Sequence, residues 1–218
     1  PAGRLRLRLD RRCRAAAARV DGDRRPARSV DAALTHTDIP IPHPNDVRYD
    51  VIIVGAGAAG LATAVFAGRL SRARILLVDG AARPGAKILV SGGSRCNVTN
   101  ALVTERDYWG GRRTIIRRVL KRLPVAGTIR FFEELGVPLK EEASGKLFPR
   151  SDRSRDVLDA LLGAVRDADV TLAAGTRVLD VSRETDGFTL HTSRGPVRAT
   201  AVVMATGGLS LPKSGSDG

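Results

Sequence analysis

The stretch Asp50-Val-Ile-Ile-Val-Gly-Ala-Gly-Ala-Ala-Gly60 decides the fold. Val51 to Val54 is an unbroken β-branched run, the pattern of a strand buried on both faces. Gly55, Gly57 and Gly60 follow at the spacing G-x-G-x-x-G, and Leu61 to Leu70 reads as an alanine-rich helix. Strand, glycine turn and helix in that order separate a dinucleotide fingerprint from a chance set of glycines. Each glycine has its own expected reason. Gly55 permits the tight turn, Gly57 lets the backbone approach a pyrophosphate, and Gly60 lets the helix pack close to the strand. The phosphate charge is expected on the backbone N–H groups around Gly57, Ala58 and Ala59, at the positive end of the helix.

Working outward, Arg74 to Val78 reads as a second strand ending at Asp79-Gly80. Asp79 lies 24 residues after Gly55, close to the ~20 at which an acid grips an adenosine ribose. A carboxylate accepts bonds from both ribose hydroxyls and repels a 2′-phosphate, which favours FAD or NAD over NADP here. Next come Pro84-Gly85-Ala86-Lys87 and Ser91-Gly92-Gly93-Ser94-Arg95-Cys96-Asn97-Val98-Thr99-Asn100. A plain NAD dehydrogenase has no need of a second glycine turn so soon; a larger cofactor does. The N–H groups of Ser91, Gly92 and Gly93 are expected to meet the pyrophosphate or the flavin ring, with Lys87 adding positive charge. Asn97 offers a donor and an acceptor to the polar edge of a flavin. The alternative is a structural loop held by Asn and Ser turns. Ala201 to Ala205 reads as another buried strand, running into Thr206-Gly207-Gly208. Ligands sit where parallel strands end, so Ala205, Thr206 and Gly207 are expected to face the cofactor.

The remaining segments are less specific. Arg112 to Leu123 reads as a basic amphipathic helix whose cations could contact RNA, although a solvated face is the expected reading. Pro124 opens a helix that passes Phe131 and Phe132 and stops at Gly136. Glu141 and Glu142 precede Gly145 to Pro149, which reads as a turn; paired acids do acid–base chemistry only inside a pocket. Asp156 to Val165 has helical periodicity. Val170–Leu172, Thr176–Val181, Gly187–Thr192 and Val197–Ala199 alternate apolar and polar residues and read as a small antiparallel meander. Val178, within it, is counted among the cofactor contacts. His191 is expected to be solvated and Cys96 to be a buried thiol rather than a nucleophile.

Composition narrows the class. With 218 residues and 43% hydrophobic content the chain can build one full domain, or one and part of another. Aromatics are only 4%, so the core must be Ala, Val, Leu and Ile. The net charge is +13, and residues 1–48 hold 11 Arg against 6 Asp. No basic stripe is interleaved with aromatics, so nucleic acid ranks low, a small-molecule substrate is expected, and the oligomeric state stays open. No stretch reads as a membrane span. Cys13 and Cys96 form no C-x-x-C pair, so neither a metal site nor a redox disulfide is indicated, and a reducing cytoplasm is expected. Residues 1–46, rich in Arg and broken by Pro, read as a disordered extension, and 47–218 as the N-terminal part of an FAD/NAD(P)-binding domain.

Together these segments resemble the BaiN/YhiN-like flavoproteins, a family of NAD(P)/FAD-dependent oxidoreductases. The resemblance spans about 49–218 and rests on G-A-G-A-A-G, the segment K-x-L-x-S-G-G-x-R-C-N-x-T-N from Lys87 to Asn100, the L-F-P turn and the terminal A-T-G-G-x-S-x-P. It implies a Rossmann-like α/β domain, with a parallel sheet and a small meander, that carries FAD. Hydride would pass through the flavin, with NAD(P)H as reductant. By position it implies FAD contacts from Gly55, Gly57, Gly60, Asp79, Lys87, Ser91, Gly92, Gly93, Asn97 and Thr206. The chain departs from the family with Asp79 in place of Glu, Ala86 in place of Arg and Ser94 in place of Gly. Its last residues, Gly215-Ser216-Asp217-Gly218, fall within a family motif close to G-S-T-G-D-G, so the chain is expected to be part of a larger enzyme. The other expectations are an RNA-associated flavoprotein, such as a tRNA-modifying enzyme, and an inactive fragment. No residue stands out as a catalytic acid or base.

Overall fold

The computed structural model describes residues 48–208. The Arg-rich stretch 1–46 and the closing glycine motif lie outside them. Strand β1 (Arg48–Val54) is central. Its side chains alternate between two cores. Ile53 packs with Leu61, Ala64 and Val65, while Ile52 and Val54 pack with Leu76, Val78 and Leu190. Strand β2 (Ile75–Val78) does the same, with all four residues buried. Burying each such side chain is worth ~1.5–3 kcal/mol, which is why an unalternating apolar run settles in the middle of a sheet. Helix α1 (Ala58–Leu70) connects the two strands, which lie parallel with Val54 opposite Val78.

Helix α2 (Ala86–Ser94) follows β2. A two-residue strand β3 (Thr99–Asn100), a 3₁₀ turn (Glu105–Asp107), α3 (Arg113–Leu120) and α4 (Val125–Glu134) come next. Then come β4 (Leu139–Glu141), β5 (Lys146–Pro149) and α5 (Ser154–Asp167). Strands β3, β5 and β4 form a three-stranded antiparallel sheet in that order. The turn expected at Gly145 to Pro149 is therefore corrected: only Gly145 takes a turn conformation (φ +75°), and Leu147 and Phe148 are buried strand residues. Pro149 is compatible with this because it closes the strand.

The chain finishes with β6 (Thr171–Ala173), β7 (Val178–Glu184), β8 (Gly187–Thr192) and β9 (Gly195–Met204). The main sheet has the order β6-β2-β1-β9-β8-β7. Two expectations change. The first segment read as meander, now β6, pairs parallel with β2. Val197–Ala199 and Ala201–Ala205 are not two strands, since β9 runs unbroken from Gly195 to Met204. Its first half pairs antiparallel with β8 and its second half parallel with β1. The residue between the two expected segments, Thr200, is an exposed position inside the continuous strand. Helices α1 and α5 cover one face of the sheet through Leu61, Val65, Leu158 and Leu161. Phe66 stacks on Phe131 of α4 at 4.8 Å between ring centres. Among the described residues no helix is long and apolar enough to cross a membrane.

Candidate functional site

The parallel strands β1, β2 and β9 stop level with one another, with Val54 opposite both Val78 and Met204. Two backbone bonds tie the tips: Gly55 N–H donates to Val78 O at 2.7 Å, and Ala205 N–H to Val54 O at 2.8 Å. With β2 on one side of β1 and β9, reached only at the end of the chain, on the other, this is the switch point at which such sheets open a crevice.

The fingerprint glycines divide by what surrounds them. Gly55 has φ +102°, and a Cβ there would lie 2.5 Å from Ala205 O. A Cβ on Gly60 would lie 1.7 Å from Gly55 O, so α1 sits directly on the turn. Both glycines are required by the fold. Gly57 is different. Its φ of −79° and ψ of −171° suit any residue, and a Cβ there would meet no atom of the described residues within 4 Å. Nothing among the described residues explains this glycine, but a group approaching from the cleft would. Helix α1 starts at Gly57 with no capping side chain and no acid in its first turn, and Ala58 and Ala59 are exposed. Its first-turn N–H groups and positive dipole end thus face the cleft, a fitting seat for a diphosphate.

The cleft has a volume of about 390 Å³ and is lined by Gly55, Gly57, Ala58, Ala59, Asp79, Lys87, Ser91, Asn97, Ala205, Thr206 and Gly207 from the sequence reading. Asp79 is partly buried. Its Oδ2 accepts from Ala56 N–H at 2.5 Å and its Oδ1 from Ala81 N–H at 2.7 Å. The shorter side chain thus braces the glycine turn. A carboxylate offers about four acceptor positions, so two remain for ribose hydroxyls. Lys87 Nζ donates to Gly208 O at 3.0 Å, linking the start of α2 to the segment after β9.

The second glycine turn is a run of left-handed backbone. Ser91 leaves the helical path at ψ 147°, and Gly92, Gly93, Ser94 and Cys96 follow at φ +55°, +68°, +68° and +64°. A side chain in this region costs ~1–3 kcal/mol, which gives a physical reason for the family's Gly where Ser94 stands. Asn97 Oδ1 is buried and accepts no hydrogen bond from the described residues. An orphaned acceptor in a cleft wall fits a donor supplied by a ligand. Cys96 is buried, and that burial pushes its thiol up, with a hydrogen bond from Ser91 opposing the effect.

Five residues of the sequence reading lie off the cleft lining. Gly60 packs under the turn. The Cβ position of Gly80 faces Arg177. Gly92 backs onto Phe148, and Gly93 opens onto space where a Cβ would meet nothing. Val178 opens β7 and packs against the second core. The lining adds Ala81, Arg83, Phe132, Val157 and Leu161. Ala81 and Arg83 lie in the loop after β2, beside the Asp79 and Pro84-Gly85 signals; Phe132 belongs to the core face of α4, and Val157 and Leu161 to that of α5. The pair Glu141–Glu142 is no acid–base couple, because Glu142 ion-pairs with Arg95.

Comparison with known proteins places this site in a family. Residues 49–218 match the HI0933-like protein Rossmann domain. Over 169 residues the chain is 37% identical to the ribosomal RNA dihydrouridine synthase of Escherichia coli (strain K12), covering 78% of this chain and 42% of that protein. It is 33% identical over 167 residues to the 3-dehydro-bile acid delta(4,6)-reductase of Clostridium scindens, covering 76% of this chain and 41% of the relative. The chain thus spans less than half the length of these relatives. Among solved structures, the open conformation of a flavocytochrome c3 fumarate reductase shares the fold with a TM-score of 0.52 and 21% identity, covering 77% of this chain and 35% of that one.

Proposed function

This chain belongs to the family of the HI0933-like protein Rossmann domain, and from that premise we propose that it carries the FAD-binding region of an FAD-dependent oxidoreductase. One observation bears most of the weight: Gly57 is a glycine that no atom of the described residues requires, at the open end of α1. The N–H groups of Gly57, Ala58 and Ala59 bind the diphosphate. Asp79 takes the ribose hydroxyls while its bonds to Ala56 and Ala81 hold the turn. Lys87 adds positive charge, and the orphaned Oδ1 of Asn97 accepts a hydrogen bond from the flavin end. The flavin, when bound, supplies hydride acceptance and donation at N5. The chain's residues orient it, and the buried wall formed by Ile88 and Cys96 excludes water on one side. NAD(P)H is the proposed reductant. The test is to purify the protein with FAD, record its visible spectrum, then add NADH or NADPH without oxygen. A bound flavin band bleached by one of them is expected. No bound flavin after reconstitution would contradict the proposal.

A second reading names the hydride acceptor as a base in RNA. It is supported by the relative named a ribosomal RNA dihydrouridine synthase and by the exposed cationic face of α3. The reductase from Clostridium scindens, named for a bile acid, favours a small apolar acceptor instead.

A further inference from the structure

The second glycine turn does not hold its own shape. Four of its residues are left-handed, two of them with side chains, Ser94 and Cys96. Such a run persists only where the surroundings over-determine it. The surroundings are supplied by β4, β5 and the segments that follow them. Phe148 of β5 is 2% exposed, and the turn wraps around its ring. On one side Gly92 comes so close that a Cβ there would lie 2.8 Å from Phe148 Cε1 and 2.7 Å from Asn97 N. On another, the Arg95 guanidinium carbon lies 4.1 Å from the ring centre. Arg95 Nη1 donates to Glu142 Oε1 at 2.5 Å and ion-pairs with Asp152 Oδ1 at 3.5 Å. Asp152 is held in turn by Lys140. A flat, permanently charged group that stacks and pairs at once is a task for arginine rather than lysine.

We propose that Arg95 is a positioning residue: by clasping Phe148, Glu142 and Asp152 it holds the 91–97 turn in the shape that presents Asn97 to the cleft. The claim deepens the cofactor reading above and rests on it for the identity of the ligand. Arg95 itself does not line the cleft, so it acts through the turn. Its partners come from 47 to 57 residues further along the chain. That gives the three-stranded antiparallel sheet a functional purpose: it is the anvil against which the turn is set.

The clasp should matter for the flavin end of FAD and not for the adenosine end, which sits on Gly57 and Asp79. The experiment compares wild type, Arg95→Ala and Arg95→Lys by FAD titration, ADP titration and amide hydrogen exchange of the ligand-free protein. Arg95→Ala is expected to weaken FAD by about tenfold or more, the scale of losing one charged hydrogen-bonding group. Its ADP affinity should stay within about twofold, and exchange should rise across 92–97 but not across α1. Arg95→Lys, which keeps the charge and loses the flat stack, should fall between the two. Unchanged FAD affinity in Arg95→Ala would overturn the proposal, and so would parallel losses of FAD and ADP, which report general unfolding. If the wild type binds neither ligand, the cofactor reading fails. The exchange data then judge the clasp separately, and no rise across 92–97 overturns it.

Discussion

At the scale of single residues, the site is built from groups whose conformation is explained within the chain and a few whose conformation is not. Gly55 and Gly60 belong to the first kind, since neither position has room for a Cβ. Gly57 and the acceptor of Asn97 belong to the second, and both line the cleft. Cys96 looks reactive by its neighbourhood of Ser91 and Asn97, but its burial raises its pKa, and a thiol kept protonated is a poor nucleophile. Alkylation with iodoacetamide at pH 8, followed peptide by peptide, should label native Cys96 about tenfold or more slowly than the unfolded chain does. Native labelling at the unfolded rate would show the thiol exposed and would contradict its burial.

At the scale of elements, α3 is the one α-helix of the described residues that buries none of its side chains. Arg113, Arg117 and Lys121 share one face at four-residue spacing, while Ile115 and Val119 are 59% and 65% exposed on another. One anchor is visible: Arg117 pairs with Glu105 of the preceding 3₁₀ turn. That contact, chiefly its hydrogen bond, lowers the Glu105 carboxyl to about 2 from 4.5. A lowered folded-state value means that the pair's contribution is complete above 4.5 and is lost as pH falls toward 2, so the anchor is intact throughout the neutral range. If the acceptor is RNA, converting Arg113 and Lys121 to Glu should cut its binding and flatten the salt dependence by about one unit of slope per lost phosphate contact. Filter binding across a salt series measures both. RNA affinity indifferent to the two reversals would leave α3 as a solvated face.

For the whole molecule, most of what places the site was legible in the sequence, because local pattern and burial agree there. Val51 to Val54 reads as a buried central strand, and G-x-G-x-x-G leads from it into α1. What stayed hidden depends on partners far along the chain. β6 is a parallel strand whose neighbour no local pattern reveals, and nothing local shows that Val197 to Ala199 and the expected parallel strand at Ala201 are one continuous strand. β5 reads as a turn because its four residues include a Lys and a Pro, and it is a strand only because β3 and β4 flank it. The Arg95–Glu142 pair spans 47 residues, and in sequence Glu142 is just one of two adjacent acids. The central claim is that a diphosphate occupies the space beside Gly57. Fluorescence titration with FAD of wild type, Gly57→Val and Gly60→Ala, each paired with a thermal melt, tests it most directly. Gly60→Ala should lose stability by the ~3 kcal/mol or more of severe overpacking. Gly57→Val should melt within a few degrees of wild type, since a lost glycine N-cap costs only ~1 kcal/mol, yet bind FAD about tenfold or more weakly. A folded Gly57→Val that binds FAD as tightly as wild type would contradict the account.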